Sequence, residues 1–293
     1  MSSPSHAATL MRRAAIASIS VALFLTLVKA GAYLLSNSVA MLASMADSAL
    51  DLLASAVNFI AIRQSLTPAD EDHRFGHGKA EPLAGLMQSA FIAASALFLV
   101  VQSVDRLIAP RPLEHSGIAL AVMGISITLT FFLVAYQQRA INASRSPALR
   151  ADRLHYVGDL ASNIAVIIAI LLAGWFGFVQ ADPLLALAVA SLLLKSAWSV
   201  GRESLDQLMD RELPDEERER IRAVIASHPQ VLAVHDLKTR KSGLSTFIQA
   251  SIILDGAMPL DAAHDVTDAL EEALARAFPG AEAIIHQEPG PKK

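Results

Sequence analysis

Six long apolar runs dominate the first 200 residues of this 293-residue sequence. A helix rises ~1.5 Å per residue, so about 20 residues cross a bilayer core of ~30 Å. With 53% hydrophobic residues and a mean hydropathy of +0.43, the chain is too apolar for an ordinary soluble domain. We therefore expect an α-helical membrane protein whose six transmembrane helices form a domain over residues 1–208. The runs are 14–35, 38–62, 82–108, 117–138, 154–178 and 183–200, and we expect the last to continue past Arg202.

The first run also imitates a secretory signal, because Arg12 and Arg13 precede an apolar stretch that is followed by an A-x-A-like step. The stretch is long for a signal, and five further apolar runs follow it. We therefore expect the two arginines to anchor the first transmembrane helix.

The basic residues of the short connecting segments are unevenly distributed between the two sides of the membrane. Six crossings bring both termini to one side, whose segments contain Arg12, Arg13, Arg74, Lys79, Arg139, Arg145, Arg150 and Arg153. The opposite loops contain Arg106 and Arg111. Because positive residues accumulate in cytoplasmic loops, we expect both termini and the polar tail in the cytoplasm. For a bacterial host, the helical spans indicate a multi-pass protein of the inner (cell) membrane.

The tail, residues 209–293, has the pattern of a second, cytoplasmic domain. Helical spacing, two strands joined by a turn at Gly243, a second amphipathic helix and a last short strand follow one another along it. This order predicts an α+β domain with helices packed on a small sheet. About 80 residues build a modest core, so dimerisation would help to stabilise it. The segments are "PDEERERIRAVIASHP", "VLAVHDLKTR", "STFIQASIILD", "LDAAHDVTDALEEALARAF" and "AEAIIHQE".

Four ionisable residues interrupt the apolar runs in two pairs of equal spacing. Asp47 and Asp51 lie in the second run, and His155 and Asp159 lie where the fifth run opens. Residues i and i+4 share one face of a helix. An unpaired ionised group costs on the order of 3 kcal/mol or more inside a membrane. If the two helices face each other, the four side chains provide a tetrahedral site for a divalent cation, which offsets that cost.

The ligand types restrict which ion such a site takes. One imidazole with three carboxylates suits Zn²⁺, Fe²⁺, Cd²⁺ and Mn²⁺ and disfavours Cu⁺, and the sequence contains no cysteine that could add a thiolate. Zn²⁺ is the first choice, because it tolerates four-coordinate N/O sites without electronic strain. Metal binding requires a neutral imidazole and ionised carboxylates, so protons compete with metal. Exchange of divalent metal for protons is therefore the hypothesis that the chemistry of this site supports.

Three other interpretations use the same residues. A single aspartate in an apolar run is often a helix end or the partner of a lysine, here Lys29 or Lys195. An intramembrane aspartyl protease requires a G-x-G-D motif, but Tyr156 occupies the first glycine position of "YVGD". A passive channel or a non-transporting membrane metal sensor would use the same ligands as an antiporter. The sequence contains no H-E-x-x-H or Walker-type loop, so we expect no enzymatic activity.

Six motifs spread along nearly the whole chain resemble those of the cation diffusion facilitator family. They are "MADSALDLLAS", "PADEDHRFGHGKAEPLAGL", "LHYVGDLASN", "LDQLMDRELPDEE", "AVHDLKTRKSG" and "IIHQEPG". The Asp-Asp/His-Asp quartet resembles the bacterial iron/zinc efflux branch. The resemblance implies a homodimeric divalent metal/proton antiporter with six transmembrane helices. It also implies a ferredoxin-like, metallochaperone-like cytoplasmic domain.

The resemblance further implies metal ligands outside the transport site. Asp70, His73 and His77 match a second metal site in the loop after the second span. In the tail, the matching ligands are His235, His264, His286 and Glu288. Ser251 stands where relatives of this branch carry a further histidine, and Glu288 where an aspartate is usual. We therefore expect one regulatory zinc site around His235, His264 and Glu288, and a weak or absent second one around His286.

Lys79 and Asp210 match a charge interlock of the family. In relatives it lies where the membrane and cytoplasmic parts of the dimer meet. The resemblance therefore implies that these two residues connect the tail to the transmembrane helices, so that metal in the tail would bias the helices.

Overall fold

The computed structural model describes residues 4–36, 39–109, 117–178 and 180–291. Arg111, one of the two basic residues expected on the far side, lies outside these ranges. Six long helices come first, and each is long and apolar enough to cross a membrane. The prediction of a multi-pass α-helical membrane protein is confirmed. The helices are α1 (Pro4–Ser36), α2 (Val39–Ser65), α3 (Ala80–Ile108), α4 (Gly117–Ser144), α5 (Pro147–Phe176) and α6 (Ala181–Leu208).

The fifth helix begins earlier than its apolar run indicated. Ser146 caps it by accepting a 3.1 Å hydrogen bond from the Leu149 N–H, and Pro147 occupies the first helical position. Both are favoured there, since serine satisfies a free helical N–H and proline lacks one. Gly177 ends the helix in the left-handed conformation, with φ +68°. His155 and Asp159 consequently lie two to three turns inside α5.

Small residues let the helices α3 and α6 approach closely. A Cβ at Gly85 would lie 2.6 Å from the Ser204 hydroxyl, and one at Gly201 would lie 2.9 Å from the Ser89 hydroxyl. Such contacts are typical of helix packing in lipid, where small residues bring backbones together. The close fit makes α3 and α6 a tightly packed pair beside α5.

The tail follows the predicted order of a helix, two strands, a helix and a strand. Strand β2 is central, antiparallel to β1 and parallel to β3. The apolar face of this second, amphipathic helix is buried and packs with the first helix and the sheet into one core, which includes Val266, Leu270, Leu274, Ile221 and Ile248. The α+β prediction is confirmed. The elements are α7 (Asp215–Ala226), β1 (Ala233–Ser242), β2 (Ser245–Leu254), α8 (Leu260–Ala277) and β3 (Ala281–Pro289).

The tip of the β1–β2 hairpin rests on the loop that joins α2 to α3. Gly243 makes the two-residue turn with φ +58°, and a Cβ on it would lie 3.1 Å from the Cα of Gly78. Beside it, the Arg240 guanidinium lies 5.1 Å from the ring centre of Phe75 and 4.4 Å from that of Phe247. This cation–π stack and the backbone contact join the tail to the membrane helices.

Candidate functional site

Three of the four residues predicted to form the transport site converge between α2 and α5. The Nε2 of His155 lies 2.9 Å from the Oδ1 of Asp51 and 3.6 Å from the Oδ2 of Asp159. One ligand atom from each residue lies within 4.8 Å of the other two. The i, i+4 spacing within α5 gives one contact, and the packing of α5 against α2 gives the other.

Asp47, the fourth predicted ligand, is more exposed and lies outside this group of three. It lines the same cavity as Asp51 and Asp159, a space of about 200 Å³ between α1, α2, α4 and α5. The arrangement thus has three converging ligands and a fourth carboxylate facing the same space. Carboxylate oxygens and an imidazole nitrogen are suitable ligands for borderline and hard divalent cations.

The cavity also contains groups that the apolar-run argument did not assign. The Nζ of Lys29 donates a 2.5 Å hydrogen bond to the Oγ of Ser48, and both residues line the cavity. Lys29 was a possible partner for a carboxylate. The structure gives it a hydroxyl partner on α2, and its charge also acts on the carboxylates of Asp47 and Asp159. Lys29 lies in the second half of α1, and the sequence alone identifies it only as a lysine within the first apolar run.

A buried polar network fixes α5 beside the cavity. The Oδ2 of Asp152 accepts hydrogen bonds from Ser18 on α1 (2.6 Å) and Gln137 on α4 (2.8 Å). The hydroxyl of Tyr156 donates to the Ser18 carbonyl (3.1 Å) and lies 2.9 Å from the Oγ of Ser55 on α2. These bonds connect α1, α2, α4 and α5, which holds the His155 face of α5 towards α2.

The loop residues Asp70, His73 and His77 also come together. The Nδ1 of His73 lies 3.3 Å from Asp70 Oδ1, and the Nε2 of His77 lies 3.4 Å from Asp70 Oδ2. The backbone N–H of His73 donates a 2.6 Å bond to Asp70 and, with the two rings, lowers the pKa of the Asp70 carboxyl. This group and the Asp51 group are the two such clusters of three ligands within the described part of the chain.

The tail residues are less closely grouped. The Nε2 of His235 lies 3.3 Å from the Oε2 of Glu288, whereas His264 lies 3.7 Å from Asp268 on its own helix. His286 is exposed on β3. Ser251 pairs with His235 on one side and with His286 on the other, so it separates the two imidazoles in one row of the sheet.

Lys79 and Asp210 form an ion pair within one chain. The Lys79 Nζ donates to Asp210 Oδ1 (2.8 Å) and to the Leu208 carbonyl (3.1 Å), and Arg240 lies 3.4 Å from the same carboxylate. Partial burial acts to raise the pKa of Asp210, but the bonds and charges of Lys79 and Arg240 outweigh it and lower the pKa. The pair connects the start of α3 to the end of α6.

Comparisons with known proteins agree with these features along the chain. Residues 15–209 match the family model of the cation efflux transmembrane domain. Residues 213–290 match that of the cation efflux protein cytoplasmic domain, ZT_dimer. A cation-efflux pump FieF of Serratia proteamaculans is 45% identical over 282 residues, which cover 96% of this chain and 94% of the relative.

Two further proteins are similar to this chain or to part of it. The cation-efflux pump FieF of Escherichia coli O127:H6 is 44% identical over 96% of this chain and 93% of its own. The solved zinc form of CzrB is 48% identical, covers 27% of this chain and 92% of its own, and has a TM-score of 0.27.

The family assignment excludes the aspartyl-protease alternative, because the family consists of transporters and not of enzymes. The chain belongs to the cation efflux, or cation diffusion facilitator, family and is a multi-pass membrane protein that exports divalent metal cations.

Proposed function

We propose that Asp47, Asp51, His155 and Asp159 bind the exported cation and that the chain exchanges this cation for protons. The observation that carries the proposal is that one ligand atom each from Asp51, His155 and Asp159 lie within 4.8 Å of one another, beside a cavity that Asp47 lines together with Asp51 and Asp159. Three ionisable groups brought together inside a helix bundle are costly unless an ion or protons neutralise them. A divalent cation and protons are therefore alternative occupants of one site.

The exchange follows from ligand chemistry. Metal takes the carboxylates ionised and the imidazole neutral, so protonation of these groups releases it. When the site opens outward, protons displace the metal, and when it opens inward, they leave and metal binds. An inward proton gradient then drives metal out of the cell. Zn²⁺ is the proposed cargo, with Fe²⁺, Cd²⁺ and Mn²⁺ as ions of compatible ligand preference.

We further propose that the chain functions as a homodimer in a bacterial inner membrane, with both termini in the cytoplasm. The match of residues 213–290 to the ZT_dimer model supports dimerisation, and the distribution of basic loop residues supports the orientation. The domain boundary falls after Leu208, where α6 ends. The Lys79–Asp210 pair then lies at the junction of the two domains.

The two remaining clusters have separate proposed roles. Asp70, His73 and His77 would bind metal in the loop between α2 and α3, away from the transport cavity. His235 and Glu288, which are already 3.3 Å apart, would hold a regulatory zinc ion in the tail together with His264. His264 lies on α8 beside Asp268, so it joins the site only if its side chain turns towards β1.

Zinc flux in sealed vesicles tests the exchange. With the full-length protein in vesicles whose lumen is acidic, we expect zinc to accumulate inside above its external concentration while protons leave. Zinc that only equilibrates would indicate a channel, and no zinc movement would indicate a sensor. Asp51→Asn should abolish the accumulation.

The matched control for that variant is Asp261→Asn. Asp261 is an exposed carboxylate in the first turn of α8, whose oxygen accepts from the Ala262 N–H, and an asparagine retains that acceptor. Wild-type accumulation by Asp51→Asn, or equal losses in both variants, would disprove the assignment of the site.

A further inference from the structure

A second cavity lies beside the transport cavity, between α3, α5 and α6. It has a volume of about 200 Å³. Its wall includes the amide of Gln102, the hydroxyls of Ser103 and Ser162, and the charged side chains of Arg106 and Asp182. Polar groups on three neighbouring membrane helices form a space that water can enter, because each offers water a hydrogen-bond partner.

The cavity lies towards the end of the bundle opposite the tail domain. Helix α3 starts at the tail, where Gly78 contacts the hairpin, and it ends beyond Arg106. Helix α6 runs the other way, from Asp182 to the Lys79–Asp210 pair at the tail. Arg106 and Asp182 therefore meet at the far end of both helices.

An ion pair lies at that end. The Nη1 of Arg106 donates a 2.6 Å hydrogen bond to the Oδ2 of Asp182. The Arg106 side chain is 45% exposed, whereas that of Asp182 is 11% exposed, so the pair has one outer and one inner member. Arg106 lies in the last turn of α3 and Asp182 in the first turn of α6, where each charge is favoured by the helix dipole. The pair joins α3 to α6 across the wall of the cavity.

Ser162 belongs to the walls of both cavities. It lies on α5 three residues after Asp159, which is within one helical turn of the transport ligands. The two cavities thus share Ser162 as a wall residue, on the side of the transport ligands that faces away from the tail.

We infer that the α3–α5–α6 cavity is an aqueous passage between the transport site and the far side of the membrane, and that the Arg106–Asp182 ion pair is its gate. The inference rests on the proposed transport site. In the conformation described, the pair is formed and the passage is closed at its outer end. Separation of α3 from α6 at this end opens it to water and ions.

Cysteine accessibility tests the passage directly, since the chain contains no native cysteine. Ser162→Cys in the full-length protein, in sealed lipid vesicles, is exposed to a membrane-impermeant methanethiosulfonate reagent. We expect slow labelling while the pair is intact. With Arg106→Gln added, labelling should be about tenfold faster or more, as for a closed–open equilibrium shifted by that factor. Ser103→Cys, which lines only the second cavity, should respond in the same way.

Two reporter positions identify the side from which the reagent arrives. Gln180 is exposed at the end of the bundle away from the tail, and Ser227 is exposed in the tail. The reagent outside the vesicle therefore labels Gln180→Cys in molecules inserted with the far end outward, and Ser227→Cys in molecules inserted with the tail outward. The labelled fraction of Ser162→Cys should equal that of Gln180→Cys. A fraction that follows Ser227→Cys would place the passage on the wrong side and overturn the inference.

Conservative variants separate gating from a general loss of structure. Arg106→Lys preserves the charge and should remain slow to label, whereas Asp182→Asn should label as fast as Arg106→Gln. Exchange of the two charges, Arg106→Asp with Asp182→Arg, should restore slow labelling. Equal rates in all of these variants would show that the pair is no gate. Labelling needs no metal, so it is independent of the zinc flux that tests the transport site.

Discussion

His155 and Asp51 are 104 residues apart in sequence, yet the Nε2 of one lies 2.9 Å from the Oδ1 of the other. This contact and the Ser55–Tyr156 hydrogen bond both join α5 to α2. The two atoms are also the ones that would bind a cation. If a cation binds there as proposed, it replaces their mutual contact and any proton they share, so the proposed site would couple metal binding to proton release.

Asp51 and Asp47 should differ in their importance for zinc uptake. Asp51 contacts His155, whereas Asp47 lies outside the group of three ligands. Loss of a residue that only supports a metal ligand typically lowers metal affinity by about 10–100-fold, and loss of a closely held ligand should cost more. We therefore expect Asp51→Asn to lower zinc affinity by about a hundredfold or more, and Asp47→Asn by about tenfold. Initial uptake rates over a series of zinc concentrations measure both values. Equal losses in the two variants would contradict the graded site.

Gly78→Ala should loosen the tail from the membrane helices. The added Cβ would lie 2.5 Å from the backbone carbonyl oxygen of Ser242, so the hairpin must shift. We expect a destabilisation of about 1–3 kcal/mol, the usual cost of overpacking, seen as a lower thermal midpoint and faster proteolysis before Pro214.

Gly124→Ala is the matched control for that variant, because a Cβ at Gly124 on α4 meets nothing within 4 Å. It should be neutral or stabilising by up to ~1 kcal/mol, since alanine is the better helix former. A loss of stability as large as that of Gly78→Ala would show that the steric argument is wrong.

The Lys79–Asp210 pair should stabilise the junction only where Asp210 is ionised. Its pKa is lowered from 3.8 in the folded chain, so its contribution is present above that value and is lost as the pH falls through the folded pKa. The side chains are 37% and 45% exposed, so solvent screening limits the effect to less than ~1 kcal/mol. Wild type and Asp210→Asn should differ in thermal midpoint at pH 7 and low salt, and the difference should shrink as the pH falls below 3.8 and vanish once it lies below the lowered folded pKa. A difference that persists at lower pH would exclude ionisation as its cause.

Ser251→His should create a tighter zinc site in the tail. Ser251 pairs with His235 and with His286, so the change places three imidazoles in one row across β1, β2 and β3. We expect the zinc affinity of the tail to increase, because imidazole is a good zinc ligand and a serine hydroxyl is not. Calorimetric titration of the full-length protein, in an Asp51→Asn and His73→Ala background, measures the tail alone. Ser251→Ala is the control and should bind like the parent.

Periodicity predicted the tail almost residue by residue, for a physical reason. Its elements are amphipathic, so Val266, Leu270 and Leu274 mark the buried face of α8, and the strands end where turn residues such as Gly243 occur. The membrane helices were predicted in number but not in extent. Hydropathy located the lipid-facing part of α5, whereas its first two turns are polar and are visible only through the Ser146–Pro147 cap.

Only part of the candidate transport site could be predicted from the sequence. The i, i+4 spacing places His155 and Asp159 on one face whatever the surroundings, so this pair followed from helix geometry. The lesser involvement of Asp47 did not, because it depends on the angle between α2 and α5. The hydrogen bonds among Asp152, Ser18 and Gln137 join three helices. Ser18 is more than a hundred positions from both partners, so no local sequence pattern predicts these contacts.

The hairpin contact at Gly78 allows a movement of the tail to be transmitted along α3 to the opposite membrane surface. Gly78 lies two residues before α3, which then runs 29 residues without interruption to the neighbourhood of Arg106. At ~1.5 Å per residue this rod is ~43 Å long, so a tilt of ~5° at the tail displaces its other end by ~4 Å. That is more than the length of one hydrogen bond, so a tilt of α3 relative to α6 by this angle would pull Arg106 away from Asp182.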